Sequence, residues 1–174
     1  MKILEKTLTY SQVISQNNAR ELMLTGLFTF LIAIFPALLA HTPNNQWITG
    51  TLVNATIFIA ASRLPLKNVF LICLIPSTVA LWRGLLPLPM VSVLPFIVIS
   101  NFVLVLIFKL TVKQNEILAI ALSSFFKFLL LYLTANFLLN AVSPVLTFML
   151  GWPQLITALA GGLIFIALNK AIKK

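Results

Sequence analysis

Ala80 to Asn101 reads ALWRGLLPLPMVSVLPFIVISN. It places Arg83, three prolines (Pro87, Pro89 and Pro95) and the amide of Asn101 within a run of Leu, Val, Ile and Phe. A guanidinium and an amide are costly in lipid, and prolines leave backbone carbonyls without donors. Together they fit the lining of a cavity better than a plain membrane span. The stretches on either side read as lipid-facing helix, so this one decides whether the bundle is solid or hollow.

The 174-residue chain is 60% hydrophobic and only 9% charged, with a mean hydropathy of +1.07. A soluble domain carries about a quarter charged residues. Lipid is therefore the expected solvent, and the chain reads as a multi-pass protein of the cell inner (plasma) membrane. The net charge of +9 comes from twelve Lys and Arg against three Glu. The cations fall between the apolar runs, which is a topology signal, so no nucleic-acid partner is expected. Cys73 is the only cysteine, which excludes an intrachain disulfide. With one His and no Asp, no metal site and no cofactor is expected. Neither a GxxxxGK[ST] loop nor an HExxH motif occurs, and a Ser/His/Asp set is impossible. Enzymatic activity is not expected.

In order, residues 1–21 form a cytoplasmic N-terminal segment, 22–169 the transmembrane domain and 170–174 a basic cytoplasmic tail. The segment 1–21 reads as a weak surface helix or a solvated tail. Six spans follow: Leu22–Ala40, Ile48–Ser62, Asn68–Trp82, Met90–Phe108, Ile117–Leu139 and Trp152–Leu168. Asn140 to Gly151 reads as a loop. The predicted fold is an all-α bundle of six transmembrane helices with both termini in the cytoplasm. That arrangement puts ten basic residues inside, Arg83 outside and Lys127 within the membrane. Trp47, Trp82 and Trp152 then all fall at the outer boundary, which suits indoles.

Lys127 is the first candidate for chemistry. A cation near the bilayer centre costs roughly 2.5–3.5 kcal/mol on insertion scales. Ser123, Ser124 and Thr134 share its helix face, so that face should point inward. It reads either as a ligand for an anionic group or as a lysine that snorkels or bonds backbone carbonyls. Arg83 could hold a carboxylate or phosphate bidentately, or anchor the interface beside Trp82. Asn54, Asn101 and Gln154 could bind a solute or bond between helices. All five candidates, Asn54, Arg83, Asn101, Lys127 and Gln154, fall between the midplane and the outer face. Thr157, Ala158, Ala160, Gly161 and Gly162 form a small-residue patch, read first as packing within the chain.

Ile48–Asn54 (ITGTLVN), Leu81–Pro87 (LWRGLLP), Pro95-Phe96-Ile97 before Asn101, and Trp152–Ala158 (WPQLITA) before Gly161-Gly162 resemble the substrate-binding (S) subunits of energy-coupling factor (ECF) transporters, in an uncharacterised branch. The resemblance covers most of the chain. It implies six helices, cytoplasmic termini and a site open to the outside. It implies uptake of a vitamin or other micronutrient in a prokaryote, with a transmembrane coupling subunit and ATP-binding subunits as partners. Ala33 and Ala37 have the AxxxA spacing the family uses for docking, but they sit toward the outer end. The reading is therefore a subunit that captures a small solute, with Lys127 and Arg83 to hold an anionic group and Phe-rich walls around its apolar part. The rival is a structural membrane protein of the rod-shape-determining type with no small-molecule ligand. A lipid-modifying enzyme is disfavoured by the shortage of His, Asp and Glu.

Overall fold

The computed structural model describes residues 2–39, 45–82, 91–138 and 144–172. These form seven α-helices: α1 Lys2–Leu39, α2 Asn45–Arg63, α3 Leu66–Trp82, α4 Leu94–Thr111, α5 Glu116–Leu138, α6 Pro144–Leu150 and α7 Trp152–Ile172. The all-α expectation is met among the described residues. Residues 16–39, 94–111, 116–138 and 146–172 make four helical stretches long and apolar enough to cross a membrane. The chain is a membrane protein by that measure.

Helix extends beyond the expected spans in two segments. Residues 2–21 are not set apart from the first span; α1 runs unbroken from Lys2 to Leu39 with Pro36 near its end. Its ring removes the backbone bond to the carbonyl four residues earlier, and only the final turn lies beyond it. The segment read as a loop, 140–151, contains the short helix α6. Pro144 opens α6, where its fixed φ suits a first helical residue and its missing N–H is not needed.

α2 is the helix that composition handles worst. At 19 residues it could extend about 28 Å, yet it is not among the four apolar stretches. The reason is its position. α2 touches α1, α3, α4 and α7, and Val53 to Phe58 are all buried without interruption. A helix so enclosed meets little solvent of any kind, so Asn54 and Thr56 need satisfy only their protein neighbours.

The α2–α7 contact depends on glycine. A Cβ at Gly161 would lie 2.7 Å from the Ala55 nitrogen and 2.8 Å from the Asn54 Cβ. One at Gly162 would collide with the Ile120 side chain on α5. The small-residue patch is thus internal packing around Gly161 and Gly162. Beside it, Phe58, Phe108 and Phe165 stack from α2, α4 and α7, with Phe58–Phe108 centroids 5.0 Å apart and Phe108–Phe165 5.3 Å apart. All three are buried, and they fill the bundle's centre. Toward the end carrying Arg63, Lys109 and Lys113, the interior opens again into a hollow that these cations line together with Glu116 and Asn169.

Gly161→Ala is expected to lower stability by about 1–3 kcal/mol, because backbone atoms of α2 stand where the methyl must go. Gly26→Ala on α1 has no atom within 4 Å of the new methyl and should leave stability unchanged or slightly raised. Thermal unfolding of both variants in detergent separates them; an equal drop would remove the close-approach explanation.

Candidate functional site

The C-terminal ends of α1 and α3 and the N-terminal ends of α2, α4 and α7 come together around shared lining residues. At that end lies a cavity of about 220 Å³. Four of the five expected site residues line it: Asn54, Asn101, Lys127 and Gln154. Arg83, and the turn from Arg83 to Pro89, lie outside the described residues. Four polar residues chosen from different helices therefore converge on one space.

Lys127 sits mid-way along α5 and is 3% exposed. Its Nζ donates to the Asn54 Oδ1 at 2.6 Å. An ammonium can only donate, so the amide atom facing it is the oxygen. That fixes the Asn54 Nδ2 toward α7, where it donates to the Thr157 Oγ1 at 3.4 Å. The Thr157 hydroxyl donates in turn to the Gln154 carbonyl at 3.3 Å. Each group passes its donor onward, and the relay ties α5 to α2 to α7. Asn54 thereby acts as a clamp on Lys127, with both ends of its amide engaged.

Asn101 differs. It is 3% exposed, lines the same cavity, and its Oδ1 has no hydrogen-bond partner among the described residues. The Ser77 hydroxyl, on the cavity wall from α3, is likewise unpartnered. A buried acceptor without a donor costs about 1–3 kcal/mol. Such groups mark either an inefficient core or a site shaped for something absent.

Gln154 is half-buried, and its Nε2 lies 3.4 Å from the Met149 carbonyl. The Gln46 Nε2 reaches the same carbonyl at 2.7 Å. α6 ends at Leu150, so Met149 is one of the carbonyls that the helix itself cannot satisfy. The two glutamines hold the short helix over the cavity.

Sequence reasoning missed Gln46, Thr49 and Ser77 on the cavity wall. The signal for Ser77 was present in Pro76-Ser77-Thr78, a proline-interrupted span of the kind that lines sites. The helix is not broken there, however; α3 continues through Pro76. Pro36 and Pro76 both face the cavity. The expected Phe-rich walls are not found among the lining residues. The apolar surface comes from Val53, Ala80, Ile97, Leu150 and the two prolines, while the phenylalanines fill the core beside it. Phe58, Phe108 and Phe165 pack against one another in the core instead, edge to face for the two closest pairs. Ser123 and Ser124 are buried on the Lys127 face, as its polar pattern implied, with Thr134 half-buried.

Comparison with protein families, with curated proteins and with solved structures gave no match for this chain. The geometry of the site therefore carries the functional argument.

Asn54→Leu should cost roughly 1.5–3 kcal/mol, by leaving a buried ammonium without its acceptor. Adding Lys127→Met should recover most of that loss, since both polar partners are then gone. A double-mutant cycle of detergent melting curves measures the coupling; additive effects would show that the 2.6 Å contact contributes nothing.

Proposed function

We propose that this protein is a membrane-embedded binding subunit that captures a small solute and delivers it through partner proteins, as the substrate-binding subunits of ECF transporters do. The observation that carries the reading is the cavity lined by Lys127, Asn101 and Ser77, where the Asn101 Oδ1 and the Ser77 hydroxyl have no partner among the described residues. A cavity of about 220 Å³ is below the roughly 300–1,000 Å³ of sites for drug-sized ligands, which suits a small metabolite. The Phe58–Phe108–Phe165 stack fills the bundle beside the cavity. A solute held there has no ready path onward, which favours a binder over a channel.

In this reading six helices cross the plasma membrane and both termini are cytoplasmic. The enclosure of α2 by its neighbours supports counting it as a span despite its polar residues. α3 has 17 apolar-rich residues and would reach about 25 Å, enough where the bilayer is locally thinned. Arg63, Lys109, Lys113 and Lys170 cluster at the end opposite the cavity, and cations prefer the cytoplasmic side. The cavity then faces outward. The partners would be a transmembrane coupling subunit and ATP-binding subunits.

The structural, ligand-free alternative has one observation in its favour. Lys127 is hydrogen-bonded inside the bundle by Asn54, as a purely structural lysine would be. Purification in mild detergent decides between the two. The transport reading expects ATP-binding and coupling subunits to co-purify, together with a small molecule that is lost from Lys127→Met. A clean chain with neither would favour the structural role.

A further inference from the structure

No acidic side chain among the described residues balances the charge in the cavity. The sequence contains three acidic residues, Glu5, Glu21 and Glu116. Glu5 and Glu21 lie on α1 far from its cavity end at Pro36. Glu116 opens α5, eleven residues from Lys127 and about 16 Å away along the helix. None lines the cavity. Lys127 is thus a buried ammonium whose one hydrogen bond among the described residues goes to a neutral amide. Two of its three donors remain for something else.

The opposite need stands on α4. The Asn101 Oδ1 is a buried acceptor on the same cavity with no donor, and Lys127 is already clamped toward Asn54. The remaining wall, from Val53, Ile97, Leu150, Pro36 and Pro76, offers no charge.

Resting on the reading of this cavity as a solute site, we infer that its ligand is a small monocarboxylic acid that also carries a hydroxyl or N–H donor. The carboxylate takes the free donors of Lys127 and supplies the missing counter-charge. The hydroxyl or N–H donates to the Asn101 Oδ1, with the Ser77 hydroxyl available to either group. The compact body between them lies against the apolar wall. One cation balances one negative charge. A phosphate would bring a second charge that no described residue on the wall meets, at the cost attached to any unpaired buried charge. An amine would put a second cation beside Lys127.

Asn54→Asp is the sharpest test. It changes one atom of the group 2.6 Å from the Lys127 Nζ and builds the counter-ion into the protein. The probes are matched sets of small molecules sharing one body: a hydroxylated carboxylate, its parent carboxylate without the hydroxyl, its carboxamide and its amine. Binding is read by melting temperature and by calorimetry on the full chain in detergent. Hydroxylated carboxylates should bind best to the unaltered protein. Asn101→Leu should make the hydroxylated and parent acids bind equally. Asn54→Asp should melt at least as high as the parent without ligand, and bind the acids at least about tenfold more weakly, a loss of about 1.4 kcal/mol. Lys127→Met gives the same binding loss should Asn54→Asp fail to fold. If the carboxamide or amine binds as well as the acid, or if both variants keep full acid binding, the carboxylate assignment is overturned and the solute site stands. If no member of any set shifts the melting temperature, the solute site itself falls with it.

Discussion

The hydrogen bond from Lys127 to Asn54 organises the upper half of this bundle. A buried ammonium has few ways to be tolerated in a membrane, and a neutral amide at 2.6 Å is among the weakest of them. That contact nevertheless sets several others. It orients the Asn54 amide, which directs the Asn54 Nδ2 to Thr157. The Asn54–Thr157 bond requires α2 to lie close to α7, and the absence of a side chain at Gly161 allows that approach. The closeness of α2 and α7, in turn, brings Gln46 and Gln154 to the same carbonyl and seats α6. Removing any one of these contacts loosens the next.

The same arrangement explains why a hollow persists in a bundle otherwise filled with aromatic and branched side chains. Interiors pack to crystal density where they can. Here the helix ends cannot close up. Pro36 and Pro76 each occupy cavity-facing positions with rigid rings. α6 is held above by two glutamines, and Lys127 must keep room for its ammonium. Further down, Phe58, Phe108 and Phe165 resume normal edge-to-face packing.

Much of this was legible in the residues. Lys127 drew attention because a cation within an apolar run is costly, and its companions Ser123 and Ser124 share its face through helical spacing alone. Asn54, Asn101 and Gln154 could be grouped with it by depth, since helix rise converts sequence position into height. What depth does not give is azimuth. Nothing in the sequence said that the Asn54 amide faces Lys127 while that of Asn101 faces an empty space. The phenylalanines were misplaced for the same reason, being at a plausible height but in the core rather than on the cavity wall. α6 escaped notice because seven residues are too few for a period to show, and the proline that opens it reads equally as a loop signal. The continuity of α1 was hidden by polar residues that say nothing against helix outside the lipid.

The enclosure of α2 has a consequence for how the protein is made. Asn54 and its partner Thr157 are 103 residues apart in sequence. At synthesis rates of about 5–20 residues per second, roughly 5–20 s pass between the emergence of the two. During that interval the least apolar long helix of the chain has already left the ribosome, while the glycine face that covers it has not yet been translated. Lys127, 73 residues on from Asn54, arrives earlier and is likewise uncovered. If α2 crosses the membrane as proposed, the nascent chain then holds the Asn54 amide and the Lys127 ammonium before α7 covers them. In that case α2 gains its last covering face only when α7 is made.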